Sequence, residues 1–290
     1  MTGVTVITDP GVDDMIALVL LDKLAAGRRK TLVSTYGNVD GDTTAKNGRE
    51  FVSFIGGEWE FRRGADLPES RSLNRPWARN FHGDDGLWGV QPPVSGGPVR
   101  DAILERPADV ISLGPLTETR SLVDGGLVES LLIMGGTIDV PGNETKWSEF
   151  NVAMDPEAGR ALFRACHGID VRLVPMDATQ QVKWTVDDVL SIPETTVSNR
   201  WMKELLFTWF KNYERADELG FVLYDPLAVY LAFNPGEALW VRSGLDVITD
   251  SAQRGRTVLS DAHPSCSIAM DIFDPDATAE NIFSLLFEAD

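Results

Sequence analysis

Short runs of β-branched and aliphatic residues alternate along the chain with stretches whose apolar positions recur every three to four residues. The runs Val4–Ile7, Thr31–Thr35, Val110–Leu113, Leu131–Met134 and Val171–Pro175 predict strands. Between them, Asp13–Ala26 closed by Gly27, then Thr44–Ile55, Leu116–Asp124 and Pro156–Cys166 with Gly168 close behind, predict helices. Strands that alternate with helices pair in parallel through right-handed crossovers. The expected fold class is therefore α/β, a doubly wound, mostly parallel sheet flanked by helices. No Pro/Gly/Ser linker or internal repeat divides the chain, so residues 1–290 are expected to form one domain. Ligands of such sheets gather beyond the carboxyl ends of the strands, which directs attention to the residues just after each run.

Two regions break the alternation. Arg63–Gly96 is rich in Gly, Pro and Asn and predicts a long excursion at an active site. A second irregular stretch follows Lys183 and becomes helical over Trp201–Tyr213, where Trp201, Phe207, Trp209, Phe210 and Tyr213 at helical spacing predict core. Val247–Asp290 reads as a small strand-containing extension ending in a helix over Ala277–Phe287.

Composition narrows the classes. With 43% hydrophobic and 24% charged residues the chain is an ordinary globular protein, neither disordered nor fibrous. Its longest apolar runs, such as Met15–Leu21, are too short for a bilayer, and no basic leader precedes the first strand. A cytoplasmic protein with no membrane partner is expected. Acidic residues outnumber basic ones 44 to 26, and the net charge of -18 repels a phosphate backbone, so nucleic acid is not an expected partner. Cys166 and Cys266 lack the spacing of a disulfide framework or a zinc site, and Cys166 falls in an apolar helical pattern that predicts core.

The first strand runs into Thr8-Asp9-Pro10-Gly11-Val12-Asp13-Asp14. Pro10-Gly11 forces a turn, leaving Asp9 at the strand tip and Asp13 and Asp14 in the first helical turn. The positive end of a helix dipole accounts for Asp13 or Asp14. It does not account for a third acid at the strand tip, whose repulsion calls for a cation. An aspartyl-nucleophile phosphatase would need Asp-x-Asp here, and Ile7-Thr8-Asp9 lacks the first acid.

The segment from Asp9 to Leu18 resembles the N-terminal signature of the nucleoside hydrolase family, the inosine-uridine-preferring nucleoside N-ribohydrolases. Further similar blocks follow in order: Tyr36-Gly37-Asn38-Val39 with Asn47, His82-Gly83-Asp84-Asp85-Gly86-Leu87, and Leu113-Gly114-Pro115-Leu116-Thr117. Then come Met134-Gly135-Gly136, Gly142-Asn143, Glu149-Phe150-Asn151, Asp155-Pro156-Glu157-Ala158, Pro175-Met176-Asp177-Ala178-Thr179 and Asp225-Pro226-Leu227-Ala228.

The resemblance implies a calcium ion held by Asp9, Asp14, the Leu113 carbonyl and Asp225. It implies ribose hydroxyls held by Asp13, Asn143, Glu149 and Asn151, with Asn38 supporting the pocket, and a homo-oligomer, dimer or tetramer. The implied reaction is hydrolysis of a ribonucleoside, with a calcium-bound water as nucleophile and Asp9 as general base. Purine or modified nucleosides are the expected substrates. Many relatives place a histidine before the C-terminal aspartate to protonate the departing base, and this chain has Tyr224. Tyr224 and His82 are the candidate donors, and Trp77, Trp201, Trp209 or Tyr224 could stack on the base. Two further positions depart from the pattern: Ile7 stands where relatives have an aspartate, and Glu118 replaces an asparagine. A different glycosidic reaction in a specialised pathway, or non-catalytic ribonucleoside binding, remains open.

Overall fold

The computed structural model describes residues 3–69, 78–94, 97–250, 252–263 and 265–288. Its first half is β1 (Val4–Thr8), α1 (Val12–Leu24), β2 (Lys30–Ser34), α2 (Gly41–Ile55), β3 (Trp59–Arg63), α3 (Arg79–His82), β4 (Ala108–Ser112), α4 (Leu116–Asp124) and β5 (Val128–Met134). The chain continues through α5 (Phe150–Met154), α6 (Pro156–Ala165), β6 (Asp170–Val174), α7 (Met176–Thr179), β7 (Lys183–Trp184), α8 (Val186–Ser191), α9 (Val197–Asn212), α10 (Ala216–Leu219) and β8 (Phe221–Val222). It closes with α11 (Tyr224–Phe233), β9 (Ala238–Val247), β10 (Thr257–Ser260), β11 (Ser265–Ile272) and α12 (Pro275–Phe287).

Among the described residues the main sheet has nine strands in the order β10-β9-β11-β6-β5-β4-β1-β2-β3. Only the pairings of β9 are antiparallel within it. The order reverses direction between β1 and β4, and such a switch point opens a crevice at the carboxyl edge. Strand alternation divides the core. Val4, Val6, Ile111, Leu132 and Met134 face one layer with α1, α2, α9 and α11, while Ile7, Val33, Val110, Leu131 and Ile133 face the other with α4 and α6. Helix α1 is buried over Val12–Leu21, wedged between the sheet and other helices, and packs along α11. Both helices bring their N-termini to the carboxyl edge, and with them Asp13, Asp14 and Asp225.

Three parts of the chain differ from the pattern-based expectation. Trp59–Arg63 forms an edge strand beside β2, its buried Trp59 and Phe61 alternating with polar residues instead of making an apolar run. The stretch after Lys183 holds regular helices, and α9 starts at Val197, where the Thr196 side chain caps the Asn199 N–H. The C-terminal strands make no separate extension. They join the main sheet through β11 and begin earlier, at Ala238, because β9 carries Arg242, Ser243 and Gly244, which mask its strand character. Both cysteines are buried and neither forms a disulfide among the described residues, and Cys166 packs beside Leu162 and Phe163 as expected. No helix among the described residues is long and apolar enough to cross a membrane.

Candidate active site

At the switch point, Asp9 leaves β1 with its carboxylate held between two strand-end turns. Its Oδ2 accepts the Asn38 backbone N–H at 2.7 Å. The Asn38 Nδ2 in turn donates to the Asp9 carbonyl at 2.9 Å and to Asp14 Oδ2 at 3.0 Å, so this side chain brackets the acids. Asp14 also accepts the Gly11 N–H at 2.9 Å and the Thr8 hydroxyl. Glycine is required on both flanks of Asp9: an added Cβ at Gly37 would lie 1.9 Å from Asp9 Oδ2, and one at Gly114 2.6 Å from Oδ1.

Helix α11 brings Asp225 to this point, and single carboxylate oxygens of Asp13, Asp14 and Asp225 lie within 4.8 Å of one another, all three residues buried. Burial, then the charge of neighbouring carboxylates, raises Asp9, Asp13 and Asp225 well above the usual carboxylate range. Burial raises Asp14 too, against the hydrogen bonds from Thr8 and Gly11. Among the described residues no Lys or Arg lines the cavity above them. Buried, mutually repelling oxygens without a basic partner are the donor set of a hard divalent cation, so these residues fit calcium. The tightest trio includes Asp13, which the resemblance gave to the sugar, while Asp9 stands beside it at the cavity wall.

The cavity, about 270 Å³, is lined by Asp9, Asp13, Asn38, Leu113, Asn143, Glu149, Asn151, Tyr224, Asp225 and His82, so nearly every residue picked out from the sequence converges there. Asp14 lies beneath them. Glu149 caps α5, accepting the N–H groups of Gly136, Asn151 and Val152 at 2.7, 2.7 and 3.1 Å, while burial pushes its carboxyl up to about 7. Asn151 Nδ2 donates to the Leu113 carbonyl at 2.8 Å, tying the α5 turn to the end of β4. Asn143 Oδ1 accepts the Phe150 N–H at 2.9 Å.

His82 Nδ1 accepts the Val12 N–H at 3.1 Å and lies 3.9 Å from Asp13 Oδ1. Burial depresses its imidazole to about 3, so the ring is neutral and its proton sits on Nε2. Burial, followed by the charge of Asp13, raises the Tyr224 phenol above its ordinary value.

Trp201 and Trp209 are buried in the core and do not line the cavity, so neither stacks on a bound base; their helical spacing placed them correctly as core. Trp77 lies outside the described residues. The aromatic wall is instead Phe81, Tyr213 and Tyr224, with ring centroids 5.1 Å apart for Phe81–Tyr213 and 6.5 Å for Phe81–Tyr224. The sequence signal for Phe81 was its place beside His82 in a polar loop. Asp177 also escaped notice as a support: its carboxylate accepts the N–H groups of Ile138 and Asp139 at 2.8 and 2.7 Å, fixing the loop that leads to Asn143. The departures from the pattern fall clear of the acids, since Ile7 is core and Glu118 lies 3.9 Å from Arg62.

A doubly wound sheet whose switch point gathers buried carboxylates and amides defines an α/β protein whose acidic cluster has the donor set to hold a metal ion. The chain belongs to the inosine-uridine preferring nucleoside hydrolase family, whose model matches residues 4–280. A non-specific ribonucleoside hydrolase, RihC of Shigella boydii, is 29% identical over 246 residues, spanning 79% of this chain and 78% of the relative. Among solved structures, a plant nucleoside hydrolase superposes with a TM-score of 0.87 at 23% identity over 99% of both chains. A purine-preferring ribonucleoside hydrolase from Gardnerella vaginalis gives 0.85 at 23% over 98% of both. These structures share the fold, with its sheet and flanking helices.

Proposed function

We propose that the protein hydrolyses the N-glycosidic bond of a ribonucleoside to free base and ribose, with calcium in the acidic site and purine or modified nucleosides favoured. The observation that carries this is the convergence of Asp9, Asp13 and Asp225 with Asn143, Glu149 and Asn151 on one cavity that has no basic side chain among its described lining residues, with Asp14 beneath it. Cleavage of the bond builds positive charge on the ribose ring, and a wall of carboxylate and amide oxygens stabilises that charge. Asp13, Asn143, Glu149 and Asn151 orient the sugar through its hydroxyls. Asp9, Asp14, Asp225 and the Leu113 carbonyl hold calcium, which supplies Lewis acidity when bound.

Asp9 acts as the general base. Asn38 fixes its Oδ2, and the proton of the attacking water goes to Oδ1, on the Gly114 side. Burial and the adjacent acids raise its affinity for that proton, the direction a base requires. Phe81, Tyr213 and Tyr224 form the wall against which the departing base lies. Tyr224 and the Nε2–H of His82 serve it as hydrogen-bond donors. Burial keeps the Tyr224 phenol protonated and His82 a neutral imidazole without a proton to spare, so neither is a strong acid and bases that leave readily are preferred. The same two groups favour a second reading, in which this site serves another glycosidic reaction or binds a ribonucleoside without turnover.

Release of base and ribose from a panel of purine, pyrimidine and modified ribonucleosides, with calcium and after chelation, tests the proposal. Calcium-dependent release abolished in Asp9→Ala supports it. Binding without release across the panel overturns it in favour of the second reading. Assembly as a dimer or tetramer is part of the same proposal, read by sedimentation equilibrium.

A further inference from the structure

At the amino-terminal edge of the sheet, away from the acidic site, a cavity of about 150 Å³ opens beside the start of β1, β4, β5 and β6 and the end of α11. Higher on this face the inward positions are apolar: Val6, Ile111, Leu132, Met134 and Val174. Near the amino edge the same alternation delivers polar residues, with Asp109 directly opposite Ser130 and Arg172 opposite Leu132. Arg28 reaches the same cavity from the turn after α1.

The acceptors are already engaged. Asp109 Oδ2 takes Arg28 at 2.5 Å, and its Oδ1 takes the Ser130 hydroxyl at 2.7 Å. Arg172 shares the charge of Asp109, whose carboxyl it helps to lower, but its own Nε is buried without a hydrogen-bond partner among the described residues. Asp170, the preceding residue on that face, forms no ion pair with it among the described residues. Among the described lining residues, two cations, Arg28 and Arg172, face the single carboxylate of Asp109, on a chain whose net charge is -18. A buried guanidinium donor without an acceptor is costly, and a planar fork of N–H groups matches the paired oxygens of an oxyanion.

We propose that this cavity binds a small oxyanion, a carboxylate or a tetrahedral anion of the phosphate type, on Arg172 with Arg28 as its second cationic wall. The volume admits only an inorganic anion or a short organic acid. Val4, Ile111, Leu132 and Phe233 give it apolar walls that suit a short alkyl chain. None of these residues belongs to the nucleoside site, so the proposal stands whether or not that site hydrolyses nucleosides.

Calorimetric titration of the calcium-loaded full chain with sulfate, as tetrahedral probe, and with butyrate, as carboxylate probe, tests it against chloride at matched ionic strength. One anion per chain is expected to bind saturably, at least tenfold more weakly to Arg172→Gln and to an intermediate degree to Arg172→Lys, which keeps the charge and loses the fork. Preference between the probes identifies the source. Nucleoside turnover and melting temperature of the variants should match wild type without anion. Binding no stronger than that of chloride, or undiminished in a folded Arg172→Gln, overturns the proposal.

Discussion

Replacing Gly37 by alanine tests the placement of Asp9 without touching an acid. Gly37 has no positive φ, so alanine is compatible with its backbone, and only space opposes the change. The new Cβ would lie 1.9 Å from Asp9 Oδ2, whereas ordinary contact begins at 3.4 Å, so the oxygen must move about 1.5 Å. That shift breaks the 2.7 Å bond from the Asn38 N–H and turns the carboxylate away from the cavity. Misplacement of a reacting group by about 1 Å costs on the order of 100-fold in rate, about 2.7 kcal/mol of transition-state stabilisation. Steady-state kcat/KM at saturating calcium should therefore fall about 100-fold or more. Gly236→Ala, where an added Cβ meets nothing within 4 Å, should be neutral. In an Asp9→Ala background Gly37→Ala should cost little more, since both changes act through one carboxylate. A folded Gly37→Ala enzyme within threefold of wild type, or full additivity of the two changes, would refute the proposed role of Asp9.

Chelation should lower the melting temperature more at pH 8 than at pH 5. The acids of the site have folded-state proton affinities above their unfolded ones, so protonation stabilises the metal-free fold fully below the ordinary carboxylate pKa of about 4, and this is lost as pH rises through the raised values. A calcium-induced shift equal at both pH values, measured by scanning calorimetry, would contradict this. Asp177→Ala removes the acceptor for the Ile138 and Asp139 N–H groups, and chemical denaturation should show a loss of about 2–3 kcal/mol, with KM rising more than kcat falls because the Asn143 loop loosens. An unchanged KM would dissociate that loop from ribose binding. Trp209→Ala empties a fully buried site among Phe81, Phe210, Tyr213 and Phe221, at a cost of about 3–5 kcal/mol and a melting-temperature drop on the order of 10 °C. A drop of under 2 °C would show that this cluster is not core.

The sequence by itself determined the local grammar of this protein. The apolar runs gave most of the parallel strands, and Pro10-Gly11 gave the turn that sets Asp9 at a strand tip and Asp13 and Asp14 on the first helical turn. Such features depend on residues within a few positions of one another, through backbone sterics, helix dipoles and periodicity. The ordered blocks pointed by resemblance to the other candidate site residues, among them Asp225 and Asn151. Their contacts were decided elsewhere. Only packing of α11 along α1 brings Asp225 to Asp14, and only the crossover from β4 to α5 brings Asn151 to the Leu113 carbonyl. The neutral state of His82 follows from its burial against the Val12 N–H, seventy residues away in the chain. The edge strand β3 and the antiparallel β9 were likewise decided by neighbours distant in sequence. Polar-alternating strands leave a weak local signature, because what holds them is pairing with strands far away in the chain.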